Sequence, residues 1–151
     1  MDKGEIAFWM STVLAIIKLF EFASDRWTTV TVDSAFVGLE EIGNTLTVLN
    51  KSKHPLTISY YELVWVEHRK WLWMNRVFKP NEVTSDSPED PAMGCDIHLK
   101  PHEPYPLVFS DEHYFDWGSS NPYDIYLKLW FVGRKKPKWF WVTGPRKFGG
   151  A

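Results

Sequence analysis

Residues 6–23 read IAFWMSTVLAIIKLFEFA, an eighteen-residue run in which Lys18 and Glu21 are the only charges and neither Gly nor Pro intervenes. Such a run folds as a helix. At about 1.5 Å per residue it extends roughly 27 Å, close to the ~30 Å hydrocarbon core of a bilayer, so a single span is geometrically feasible. Apolar side chains cover nearly every face, which demands lipid or protein around the helix rather than water. Ala7, Ser11, Ala15 and Lys18 recur at helical spacing as a narrow small-and-polar stripe of the kind that lets helices approach closely. We therefore expect residues 1–25 to form a membrane-anchoring or oligomerisation helix, a homo-oligomer through that stripe, and Trp9 and Trp27 at lipid or oligomer contacts, Trp27 at the bilayer interface.

Two other roles for this segment are open. A cleaved signal peptide calls for a basic start and a small-x-small cleavage site, but Lys3 lies between Asp2 and Glu5, and Glu21-Phe22-Ala23 lacks the first small residue. A soluble helix packed on its own domain or in an oligomer core is the other. Of the flanking charges, Lys3 is offset by Asp2 and Glu5, whereas Arg26, Lys51 and Lys53 follow the helix and Lys18 lies near that end. The positive-inside rule then puts the following domain in the cytoplasm. A single Cys, Cys95, fits a reducing compartment and excludes an internal disulfide framework.

From residue 26 onward β-branched and aromatic residues dominate, within a chain holding nine Trp, ten Phe and six Tyr. Such side chains suit a pleated, half-buried surface. The clearest strand is residues 123–132, YDIYLKLWFV, where Ile125, Leu127, Leu129 and Phe131 share one face; it should run through the centre of a sheet. Other expected strands are residues 27–32, 46–49, a long run from Leu56, Trp71 to Val77, 95–99, 105–109 and 138–143. The strand at 46–49 and the run from Leu56 read as a hairpin across the Asn50 to Pro55 turn. Within that run either Val64 and Val66 or Leu63 and Trp65 face the core, with a bulge near Tyr61. Residues 79–94 carry three Pro and several acids without periodicity, and read as a long surface loop. Pro106 belongs at a sheet edge, a strand start or a bulge. Residues 26–151 are thus expected to form one mainly β domain, an antiparallel sandwich of about eight strands.

The stretch GNTLTVLNKSKHPLTISYYEL resembles the opening strands of immunoglobulin-like domains in bacterial proteins with an N-terminal membrane helix. Counting the helix and Trp27, the resemblance covers about a third of the chain. It implies an immunoglobulin-like sandwich without the Cys pair of antibody domains, and no functional residue transfers with it.

Several clusters could carry chemistry. Cys95, His98 and His102 are loosely spaced like zinc ligands, with His113 or Asp96 to complete the set, but Cys95 and His98 would point to opposite faces of a strand. A buried Cys and surface His residues are the favoured account, and no metal or cofactor is expected. His113 among Asp111, Glu112 and Asp116 offers titratable groups for acid–base work without showing a cleft. Neither G-x-S-x-G, a phosphate-cradling Gly loop nor H-E-x-x-H occurs, so a metal-dependent enzyme is the remotest function class. The formal net charge of -2 gives no global footprint for nucleic acid, and no nucleic-acid partner is expected. The sharpest local charge is Arg134, Lys135, Lys136 and Lys138, joined by Arg146 and Lys147 and interleaved with Trp139, Phe140 and Trp141. Were the two runs to meet, they would hold an anion, first of all a lipid headgroup.

The expected function is a membrane-anchored, non-enzymatic β-sandwich that acts by binding, with lipid and further copies as partners, a possible protein partner on the β-domain, and a sensor or defence effector as the analogy. A soluble assembly protein whose helix docks on a neighbouring subunit is the alternative.

Overall fold

The computed structural model describes residues 2–26, 29–68, 81–118 and 121–145. The N-terminal run forms helix α1, Lys3–Arg26. The rest folds as eight antiparallel strands among the described residues: β1 Val30–Ala35, β2 Asn44–Asn50, β3 Leu56–Glu67, β4 Glu82–Asp86, β5 Ile97–Leu99, β6 Pro104–Phe109, β7 Tyr123–Phe131 and β8 Lys138–Thr143. They make two sheets, one ordered β1-β2-β6 and the other β4-β3-β7-β8, with β5 on the same edge of β3 as β4.

The inner faces meet in one core. β2 and β6 contribute Leu46, Val48, Leu107 and Phe109, and β3 and β7 contribute Tyr61, Leu63, Ile125, Leu127 and Leu129, all buried. β7 is central to its sheet, as its alternation requires, lying between β3 and β8. Tyr61 crosses between the sheets to meet Phe109 edge-on, with ring centroids 6.0 Å apart, and Phe109 in turn meets Phe115 at 5.7 Å. Each such contact adds to the burial of two large rings.

Phase and pairing on β3 follow from register. Tyr61 stands opposite Leu129 and Leu63 opposite Leu127, so these face the core, while Val64 and Val66 stand opposite Tyr126 and Asp124 and lie on the other side of the sheet. Val64 and Val66 are nonetheless fully buried, which is why the run reads as apolar in both phases. The bulge falls between Ile58 and Tyr60, three residues or fewer from the place expected for it. Pro106 occupies β6, an edge strand, where its missing N–H costs no ladder bond on the open side.

Two expectations are corrected. β2 and β3 do not form a hairpin: β2 pairs with β1 and β6, and β3 with β4, β5 and β7, so the chain changes sheets between them. Apolar alternation marks a strand but not its partner, and the crossing is set by Asn50. This residue is fully buried; its Nδ2 donates to His54 O (2.9 Å) and Leu99 O (3.1 Å), and its Oδ1 accepts from Ser52 N (3.0 Å) and Ser52 Oγ (2.5 Å). The expected surface loop at 79–94 contains strand β4, which pairs with β3; its side chains are almost all exposed, so it has no apolar phase to betray it. The polar stretch after β6 includes a short 3-10 helix, Asp111–His113. The strand expected from Trp71 to Val77, and Trp27 at the start of the first strand, lie outside the described residues.

At the far end of β2, Asn44 plays the same part, accepting from Val37 N at 3.0 Å and donating to Phe115 O at 2.8 Å. Gly43 just before it has φ 78°, and a Cβ there would come within 2.6 Å of Phe109 O, so no side chain fits. Replacing Asn50 by Ala strands Leu99 O and Ser52 N, whose bonds to its amide are buried, while His54 O keeps the Ser52 hydroxyl at 2.9 Å. At about 1–3 kcal/mol per orphaned group, Asn50→Ala should lower unfolding free energy by roughly 3 kcal/mol or more in urea denaturation.

Candidate functional site

Helix α1 is the least satisfied part of the molecule. Phe8, Trp9 and Met10 are 66%, 59% and 62% exposed, Leu19 and Phe20 67% and 72%. Val13, Leu14, Ile16 and Ile17 are exposed too, so bare apolar surface covers nearly every face except the stripe of Ala7, Ser11, Ala15 and Lys18. Ser11 Oγ and Thr12 Oγ1 turn back to Phe8 O at 3.0 and 2.9 Å, as hydroxyls on helices do when no better partner is near. Ala7, Ser11, Ala15 and Lys18 fall along one line of this helix, as expected. Monomeric soluble proteins rarely leave so large an apolar area open, and such areas mark sites of contact with lipid or protein.

The expected membrane span is corrected in its length. Among the described residues no helix is long and apolar enough to cross a membrane. Between Glu5 and Lys18 the uncharged stretch, residues 6–17, covers only about 18 Å at 1.5 Å per residue, against roughly 30 Å of hydrocarbon.

The expected basic cluster is placed in the connection from β7 to β8. Arg134 N donates to Phe131 O at 3.0 Å in the turn, Lys135 and Lys136 are exposed, and Lys138 opens β8. Partial burial, and then the positive charge of Arg134, lower the pKa of Lys138, so like charges are held together here. Arg146 and Lys147, the other half of the cluster, lie outside the described residues. The interleaved aromatics divide: Phe140 packs on the core, whereas Trp139 and Trp141 stand on the outward face.

That face holds a cluster which sequence reasoning missed. Lys128 Nζ donates to Glu62 Oε1 at 2.9 Å and lies 3.5 Å from Glu82 Oε1, with the Lys128 and Glu62 side chains only 12% and 14% exposed. The ammonium also sits 4.9 Å from the Trp130 ring and 4.7 Å from the Trp139 ring. Tyr60 packs on Trp130 and Tyr126 on Trp139. The positions were legible as the outward phase of β7, but only the pairing of Glu62 and Trp139 with Lys128 across three strands assembles them. Chemically the cluster is self-satisfied: its charge is neutralised and its cation is covered by two aromatic faces.

The titratable candidates are dispersed. His98 Nδ1 bonds Thr57 Oγ1 at 2.9 Å, His102 takes a positive φ of 61° in its turn, and Cys95 Sγ donates to Ile58 O at 3.7 Å. Cys95 precedes β5 instead of opening it. Among the described residues no group of three or more His, Cys, Asp or Glu side chains could hold a metal ion. His113 bonds Asp86 on β4, with Nδ1 at 3.0 Å from Oδ2, instead of the acids beside it in sequence. A second His–carboxylate pair joins His68 Nδ1 to buried Asp124 at 3.0 Å, with Trp141 Nε1 3.5 Å from the other oxygen.

Cys95, partly buried, and Tyr61, buried in the core, lie together near Glu89. Burial first, and then the Glu89 carboxylate, push the Cys95 thiol up from its ordinary 9.0 to about 11 and the Tyr61 phenol from 10.0 to about 12. Both groups hold their protons more tightly in the folded state, so their contribution to stability is complete below pH 9 and is lost as pH rises from about 9 to about 12. At pH 8 the thiolate fraction of Cys95 should be about 100-fold below that of an unperturbed thiol, and iodoacetamide labelling of native protein should be slower than that of urea-unfolded protein by a similar factor. No family model, curated protein or solved structure matches this chain.

Proposed function

We propose that this protein is a membrane-anchored, non-enzymatic binding protein whose N-terminal helix embeds in lipid and whose β-sandwich engages a partner. The observation that carries this reading is the exposure of Phe8, Trp9, Met10, Leu14, Leu19 and Phe20 on a helix that is apolar on nearly every side. In water that surface is costly; in lipid it is at home. The anchor is read as peripheral, with Lys18 toward one end where its chain reaches the headgroups. The stripe of Ala7, Ser11 and Ala15 supports self-association within the membrane. The asymmetry of cations around the helix supports a cytoplasmic domain.

The strand order supports the finer architectural reading, an immunoglobulin-like sandwich. Taking β1, β2 and β6 as strands A, B and E, and β4, β3, β7 and β8 as C′, C, F and G, this order supports an immunoglobulin-like assignment, from which β5 departs by pairing with β3 instead of lying beside β6. A non-enzymatic role is supported by the dispersal of His68, His113, Cys95 and their partners over separate places in the fold. Docking of the helix on a neighbouring subunit is the competing outcome of the test.

Cells expressing the full chain should yield it in the membrane fraction, released by detergent and not by high salt, and a form lacking residues 1–26 should be soluble. A full chain that stays in the soluble fraction as a defined oligomer without detergent would replace the anchor with an assembly helix.

A further inference from the structure

The register gathers three connections at one end of the sandwich. Val30, at the start of β1, stands opposite Asn50, at the end of β2, and Lys51 N donates to Thr29 O at 2.8 Å. His102 N donates to Asn50 O at 2.7 Å, which brings the β5–β6 turn beside the β2–β3 crossing. Leu56 pairs with Leu99, and Val132 N donates to Thr57 O at 2.9 Å, which adds the β7–β8 turn. The first connection carries Lys51 and Lys53, the second Lys100, and the third Arg134, Lys135 and Lys136, with Lys138 opening β8.

Among the described residues of the sandwich, Lys128 is the one Lys or Arg that lies elsewhere. Among the described residues, Glu103 lies 3.6 Å from Lys100 at this end. The opposite end carries Glu40, Glu41, Asp111 and Glu112 and no described Lys or Arg. Among the described residues the sandwich is thus polarised in charge along its strands.

Helix α1 joins the same end. It stops at Arg26 and β1 starts at Val30, so at 3.8 Å per residue the end of the helix lies within about 15 Å of Val30, which pairs with Asn50 at this end. Apolar surface suited to hydrocarbon and positive charge suited to phosphate meet at one pole. Charge complementarity therefore selects the occupant: an anionic bilayer offers both phases at once, in that order of depth.

We propose that the cationic end of the sandwich binds the headgroups of anionic phospholipids and seats the domain end-on upon the bilayer that holds α1. This rests on the membrane reading above and adds its lipid class and orientation. Juxtamembrane cations act independently at about a fivefold gain in affinity each, falling with salt.

The full chain, synthesised in the presence of vesicles, tests this by flotation with phosphatidylcholine alone and with phosphatidylcholine containing a third phosphatidylserine. The expected result is capture by both, at least tenfold tighter with phosphatidylserine, with that excess lost at 0.5 M salt. K51Q/K135Q/K136Q should weaken binding to the anionic vesicles about 100-fold and leave binding to the neutral ones unchanged. E40Q/E41Q, at the other end, should change neither by more than twofold, and unaltered urea midpoints certify that both variants fold. Equal binding to the two vesicle types, an unaffected triple variant, or an equal response to E40Q/E41Q would overturn the headgroup site while the anchor stands. So would a triple variant that loses affinity for a single-stranded oligonucleotide but keeps it for anionic vesicles. Failure to float with either vesicle would instead overturn the membrane reading itself.

Discussion

Two buried amides fix the frame from which everything else hangs. Strand β2 begins at Asn44 and ends at Asn50, both fully buried, and each amide binds backbone groups of segments far away in sequence. A buried amide without partners is costly, so each of these positions is tolerable only with its loops in one arrangement. Asn50 uses both its donors and takes two bonds on its oxygen, and so dictates that the chain leave one sheet and enter the other. The apolar core then closes between sheets whose ends are already pinned. The core supplies most of the driving force, but the amides decide which loops become neighbours.

The parts that were legible in sequence are those where one side chain pattern determines the outcome. The alternation of Ile125, Leu127, Leu129 and Phe131 announced β7 as a central strand, and the uninterrupted run before Ser24 announced α1. Edge strand β4 was not legible, because Glu82 to Asp86 bury little and are held by backbone bonds that any sequence can make. The hairpin expected between β2 and β3 was a reasonable inference from two apolar strands and a turn. It failed because partner choice rests on the hydrogen bonds of Asn50, which are invisible to periodicity.

The same contrast governs the functional surfaces. Arg134, Lys135, Lys136 and Lys138 were conspicuous as neighbours in sequence, whereas Lys51, Lys53 and Lys100 join them only through the fold. The Lys128 cluster, spread over β3, β4, β7 and β8, had no sequence signature beyond the outward phase of each strand. By contrast, the Cys and His residues that looked like a set in sequence disperse, His98 bonding Thr57 and Cys95 bonding Ile58 O across the sheet edge.

The strands of the larger sheet run from the cationic end to the acidic one, and that direction has a consequence for what the domain can meet. If the first end rests on a membrane, the strands rise from it like staves, and the broad faces of the sandwich point sideways, along the plane of the lipid. Tyr60, Trp130, Trp139 and Trp141 would then look toward whatever drifts alongside, another copy included, instead of toward the open solution. Encounter on this face becomes a two-dimensional search, in which crowding of anchored molecules matters more than their bulk concentration.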